Sequence, residues 1–191
     1  IYQMIKKKIE TDEERIYTDT LFSADTATSA IKNSISSSFI IPFAMALGAP
    51  STMIALISSL PELIGSFFQL FVTDLLKIIN NRKRIIVITS AIDAILWLPI
   101  LLIPFIWQNN YYILLYLTIL QAISLSILRP FYSTLLGDII PTNRRGKVLS
   151  KINKISSAVS FLSTLIFGYL LKVLNPINPF YGFSIIFGFA L

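Results

Sequence analysis

From residue 21 onward, long apolar runs alternate with short polar breaks. The runs cover roughly 21–47, 51–74, 84–106, 111–136, 151–172 and 179–191. A helix rises 1.5 Å per residue, so about 20 residues cross a hydrocarbon layer about 30 Å thick. The first five runs are long enough, and the sixth is cut short. The pattern predicts an all-α polytopic transmembrane bundle of about six spans. Residues 1–20 precede it as a polar lead, amphipathic or disordered, with Lys6, Lys7, Lys8, Arg15 and several acids. That is too charged for a signal peptide. The chain starts at Ile1 rather than Met and stops at Leu191 inside an apolar run, so we expect a fragment of a longer protein.

The breaks differ in charge. Gly48, Ala49 and Pro50 make a tight uncharged turn, residues 107–112 are uncharged and aromatic, and residues 175–179 are uncharged. The other two breaks are basic, carrying Arg82, Lys83 and Arg84, then Arg144, Arg145 and Lys147. Lysines 6, 7 and 8 and Arg15 share their side, whereas the opposite side has only Lys172. The positive-inside rule then places the N-terminus and the basic loops in the cytoplasm of a cell whose plasma membrane the chain crosses.

Composition agrees. Of the 191 residues, 54% are hydrophobic and 14% charged, too little charge to cover a soluble domain of this size. The net charge of +6 sits at span ends and predicts no nucleic-acid partner. There is no Cys and no His, which excludes disulfides, thiolate or imidazole metal sites and His-dependent nucleophilic catalysis. No phosphate-binding G-x-x-x-x-G-K-[ST] loop and no G-x-S-x-G turn is present. We expect no enzyme, no cofactor and no metal.

Charges inside spans are costly and point to function. Glu62, Asp93 and Arg129 are such charges. Asp93 lies nine residues after Arg84 and Arg129 nine before Asp138, so both are roughly 13 Å deep. An acid and a base on consecutive antiparallel spans at one depth are expected to pair. Glu62 lies twelve residues before Asp74, roughly 18 Å deep, with no evident basic partner, and is the first candidate for ion coupling. Each span also has a polar stripe at helical spacing: Asp25, Ser29, Lys32 and Ser36; Ser59, Glu62, Ser66 and Gln69; Thr118, Gln121, Arg129 and Tyr132; Ser156, Ser160 and Ser163. Lys32, Ser36 and Gln121 are expected to line a cavity, Lys32 by snorkelling to its mouth. Most single Ser and Thr residues should merely bond their own helix backbone.

The segment from Gly137 to Lys147, with Asp138, Pro141, Arg144, Arg145 and Gly146, resembles the loop after the fourth helix of major facilitator superfamily transporters. Residues 46–51 and Ile57 to Pro61 are similar to a prokaryotic group of that superfamily. The loop between helices two and three keeps Asp74, Arg82, Lys83 and Arg84, but Leu70 and Leu75 replace the family's Gly and Arg. The resemblance implies an N-terminal six-helix half that works with a missing C-terminal six-helix half. It also implies a latch between the Asp74 loop and Asp138, a first and fourth helix lining the cavity, and ion-driven alternating access to a small-molecule substrate. A membrane scaffold or receptor-like protein of the same fold is the alternative.

Overall fold

The computed structural model describes residues 12–78, 81–107, 110–140, 142–174 and 179–190. They form six helices: α1 (Asp12–Ala46), α2 (Ser51–Ile78), α3 (Arg82–Ile106), α4 (Tyr111–Ile139), α5 (Thr142–Leu174) and α6 (Pro179–Gly188). Two helices begin well before the apolar runs that mark them. Helix α1 reaches back to Asp12. Helix α5 starts nine residues before the run at 151.

The turns follow from local chemistry. Gly48 has φ +78°, a left-handed conformation that suits glycine. Its N–H donates to Met45 O and the Ala49 N–H to Ala44 O, which closes α1 as a Schellman motif. Helix α4 opens with the Asn110 side chain accepting from the Tyr112 N–H at 3.0 Å, an N-cap. Pro42, Pro61, Pro99, Pro104 and Pro130 all lie inside helices.

Helix α4 packs along α2 and α3, while α1 packs along α5. Helix α6 touches α1, α3 and α5 and so joins the two groups. The α2–α4 contact is close because Gly65 has no side chain: a Cβ there would stand 3.2 Å from the Ala122 carbonyl oxygen. The interior is divided by height. Towards the Gly48 turn it is apolar, built from Phe39, Phe43, Trp97, Ile100, Leu114, Phe167, Phe183 and Phe187. Towards the basic loops it is mixed, with Thr26, Ser34, Thr89, Asp93, Gln121, Ser124 and Ser126 buried alongside Val72, Phe131, Leu136 and Ile140.

The outside is the reverse of a water-soluble fold. Phe67, Leu70, Phe71, Ile95, Phe105, Phe161, Tyr169 and Phe189 are all exposed, far more apolar surface than a soluble monomer tolerates. Four stretches are long and apolar enough to cross a membrane, namely Ser51–Val72, Lys83–Ile106, Tyr111–Asp138 and Arg145–Leu174. The expected six are therefore met in helix number but in only four clear spans. Helix α1 is long but rich in Ser, Thr and charge, and the described part of the sixth is ten residues.

Candidate functional site

The centre of the mixed half is an ion pair. Lys32 Nζ on α1 lies 2.6 Å from Asp93 Oδ2 on α3, with side chains 26% and 5% exposed. The expected Asp93–Arg129 pair is corrected by this contact. Arg129 is exposed and makes no ion pair among the described residues. The reason is rotation rather than depth. Ser124 Oγ donates to the Thr89 carbonyl at 3.1 Å, so the Ser124 side of α4 faces α3. Arg129 is five residues further on, about 140° round the helix.

That same contact sets the register between α3 and α4. One turn from Thr89 is Asp93, and one turn from Ser124 is Gln121, so Asp93 and Gln121 lie at one height. Trp97 follows Asp93 by one more turn on the same face. Two donors nearby are buried without a partner among the described residues: Gln121 Nε2 at this height and Trp97 Nε1 a turn further, where the apolar core begins. Trp97 is 1% and Gln121 5% exposed. A buried N–H without an acceptor costs about 1–3 kcal/mol, so two beside one buried ion pair are unusual for mere packing. Gln121, expected from the sequence to line a cavity, is buried in this structure. Ser36, one turn from Lys32, is half-buried.

A second polar link joins α1 to α4, where Tyr132 Oη donates to Asp25 Oδ2 at 2.6 Å. Ser160 Oγ donates to the Ala30 carbonyl at 3.1 Å and ties α5 to α1. Most other hydroxyls return to their own helix, as Ser34, Ser59, Thr89, Thr118 and Ser126 do. The exposed face of α1 carries Asp25, Ser29, Asn33 and Ser37, and that of α4 carries Arg129 and Ser133. By contrast, beyond Lys83 and Arg84 at its start, the large exposed side chains of α3, like those of α6, are apolar or aromatic.

Glu62 is exposed on α2, and Ser59, one turn away, donates to Ala55 rather than to it. Of the loop residues, Lys83, Arg84 and Gly146 are exposed. Asp74 and Asp138 are exposed near the ends of α2 and α4, and neither lacks a partner. Pro141 and the side chains of Arg82 and Arg144 lie outside the described residues. Arg145 Nη2 donates to the Gly137 carbonyl at 2.7 Å, one of the carbonyls a helix end leaves free. Among the described residues no group of acids is placed to hold a metal ion.

The sequence pattern puts Asp93 and Trp97 on one stripe of the third span and Lys32 on a stripe of the first, but does not pair Lys32 with Asp93. The signal present in the sequence was the shared depth of Lys32 and Asp93 within their spans; which helices adjoin was not in it. Comparison with protein families matches the Major Facilitator Superfamily over residues 24–191. Comparisons with curated proteins and with solved structures return no match. The family match reaches all six helices, from residue 24 in α1 to the end of α6, and takes in Lys32, Asp93, Trp97 and Gln121. The chain belongs to the Major Facilitator Superfamily of membrane transporters.

Proposed function

We propose that this chain is the N-terminal six-helix half of a secondary active transporter in the plasma membrane, moving a small polar solute by alternating access. The observation that carries this reading is the layer of Lys32, Asp93 and Gln121, with Trp97 a turn further. Two unsatisfied donors and a charge pair in a helical bundle are what a polar solute would complete. The exposed polar faces of α1 and α4 line the solute's route and face the second six-helix half. The exposed faces of α3 and α6 meet lipid. The basic loops lie in the cytoplasm, and Asp74 and Asp138 contribute to a latch on that side.

Coupling to protons fits the same layer. Asp93 and Glu62 are both carboxyls inside spans, but Asp93 is buried and holds a lysine, whereas Glu62 stands exposed on α2. Protonating Asp93 would release Lys32 and so change the charge facing the solute. Asp93 is therefore the better seat for coupling, with Glu62 second. The test uses the complete protein in liposomes. A library of solutes is screened by thermal shift, and the solute that stabilises most is offered as substrate under an imposed pH gradient. Gradient-driven accumulation in the wild type, with Asp93→Asn retaining exchange but not accumulation, is the expected result. Accumulation surviving in Asp93→Asn refutes the coupling assignment. Absence of any uptake favours the scaffold reading.

A further inference from the structure

We infer that the basic end of α5 is a binding site for anionic phospholipid headgroups. Helix α5 has no acidic residue anywhere along its 33 residues. Lys147, Lys151 and Lys154 recur at spacings of four and three, so they stand on one side of the helix. All three are exposed. Continuing up the same side, Phe161, Leu165 and Tyr169 are exposed by 65%, 56% and 70%. Such a stripe suits the acyl chains of the bilayer.

The heights agree with the two leaflets. No charged residue lies between Lys154 and Lys172, eighteen residues apart. That separation is about 27 Å along a helix, close to the thickness of the hydrocarbon core. Lys154 therefore marks one edge of the core, and Lys151 and Lys147 lie roughly 5 and 10 Å further out, among the phosphates. The stretch Arg145–Leu174 is 30 residues long, about ten more than crossing requires. The surplus is the basic end.

Space for a headgroup adjoins the ladder. Gly146, Leu149, Ser150, Asn153, Lys154 and Ser157 form a shallow, open patch on the same helix. Hydroxyl and amide groups there can bond a glycerol or phosphate oxygen while the lysines supply charge. An anionic lipid fits both parts, with its chains along Phe161 and Leu165. A zwitterionic lipid lacks the net charge, and a soluble anion lacks the chains.

The complete protein, purified in detergent, is titrated with phosphatidylglycerol and with phosphatidylcholine, and bound lipid is counted by native mass spectrometry. Phosphatidylglycerol should bind in preference. A basic residue near a lipid surface contributes about 1 kcal/mol, about fivefold in affinity. Lys147→Gln/Lys154→Gln should therefore reduce the preference roughly 25-fold, and Lys172→Gln by less than half. Thermal unfolding of each variant establishes that the fold is kept. Equal binding of the two lipids by the wild type overturns the site. So does a preference untouched by the double change, or lost equally in Lys172→Gln. Displacement of phosphatidylglycerol by an equal concentration of inorganic phosphate would make this a soluble-anion site and likewise overturn the proposal.

Discussion

At the residue scale, the Lys32–Asp93 pair is lopsided: Asp93 has almost no access to water, while about a quarter of the lysine side chain is exposed. Removing either partner of a buried pair usually costs about 3–5 kcal/mol, because the other charge is left uncompensated. Here the cost should depend on which is removed. We predict that Lys32→Met costs about 3–5 kcal/mol, since Asp93 is stranded. Asp93→Asn should cost only about 1–2 kcal/mol, since Lys32 can swing towards water. The double change should cost less than the two singles together, read as thermal unfolding in detergent. Equal single costs that simply add would show that the two side chains do not interact. The orphan amide gives a second prediction. Gln121→Met keeps the volume and deletes the unpaired buried donor, so stability should stay level or rise by about 1–2 kcal/mol, while solute-induced stabilisation falls. A loss of several kcal/mol without solute would instead mean that Gln121 is an ordinary structural bond.

At the element scale, the packing rests on where side chains are small. Gly65 lets α2 approach α4, and a Cβ there would press on the Ala122 carbonyl at 3.2 Å. Gly65→Val should therefore destabilise by about 1–3 kcal/mol through overpacking. Gly168→Ala, with open space around it, should be nearly neutral; the pair compared in one unfolding assay separates packing from helix propensity. Much of this scale was legible beforehand. Six apolar runs separated by Gly48–Pro50, Arg82–Arg84, residues 107–112, Arg144–Lys147 and residues 175–179 mark all six helices. What could not be read was azimuth between non-sequential neighbours. The depth of Asp93 and Arg129 follows from counting residues, but the approach of Lys32 on α1 to Asp93 on α3 depends on how non-sequential helices are arranged. Hence the acid at that depth was recognised and its partner was misassigned. The start of α1 was likewise hidden, because Asp12–Thr20 has no apolar run to mark it.

At the scale of the whole molecule, the interior changes character along the membrane normal. The end near the Gly48 turn is closed by aromatic packing, with Phe43 5.3 Å from Phe183 and 4.9 Å from Phe187 between ring centroids. The other end adds polar links, Lys32–Asp93 and Asp25–Tyr132, to a smaller apolar set of Val72, Phe131, Leu136 and Ile140. Polar links exchange for water at little cost and aromatic packing does not, so opening should begin at the basic-loop end. The orientation is testable because the chain has no cysteine. A cysteine at Asn81 should be shielded from an impermeant thiol reagent outside intact cells and one at Asn110 should react; the reverse pattern would invert the topology. The most direct test of the central claim places one cysteine at Ser36, a turn from Lys32 on α1. The complete protein is then labelled in right-side-out and in inverted membranes. Alternating access predicts labelling from both sides, with solute binding slowing both. Labelling from one side only, or from neither, would mean that this polar layer never changes the side it faces, and would contradict the account.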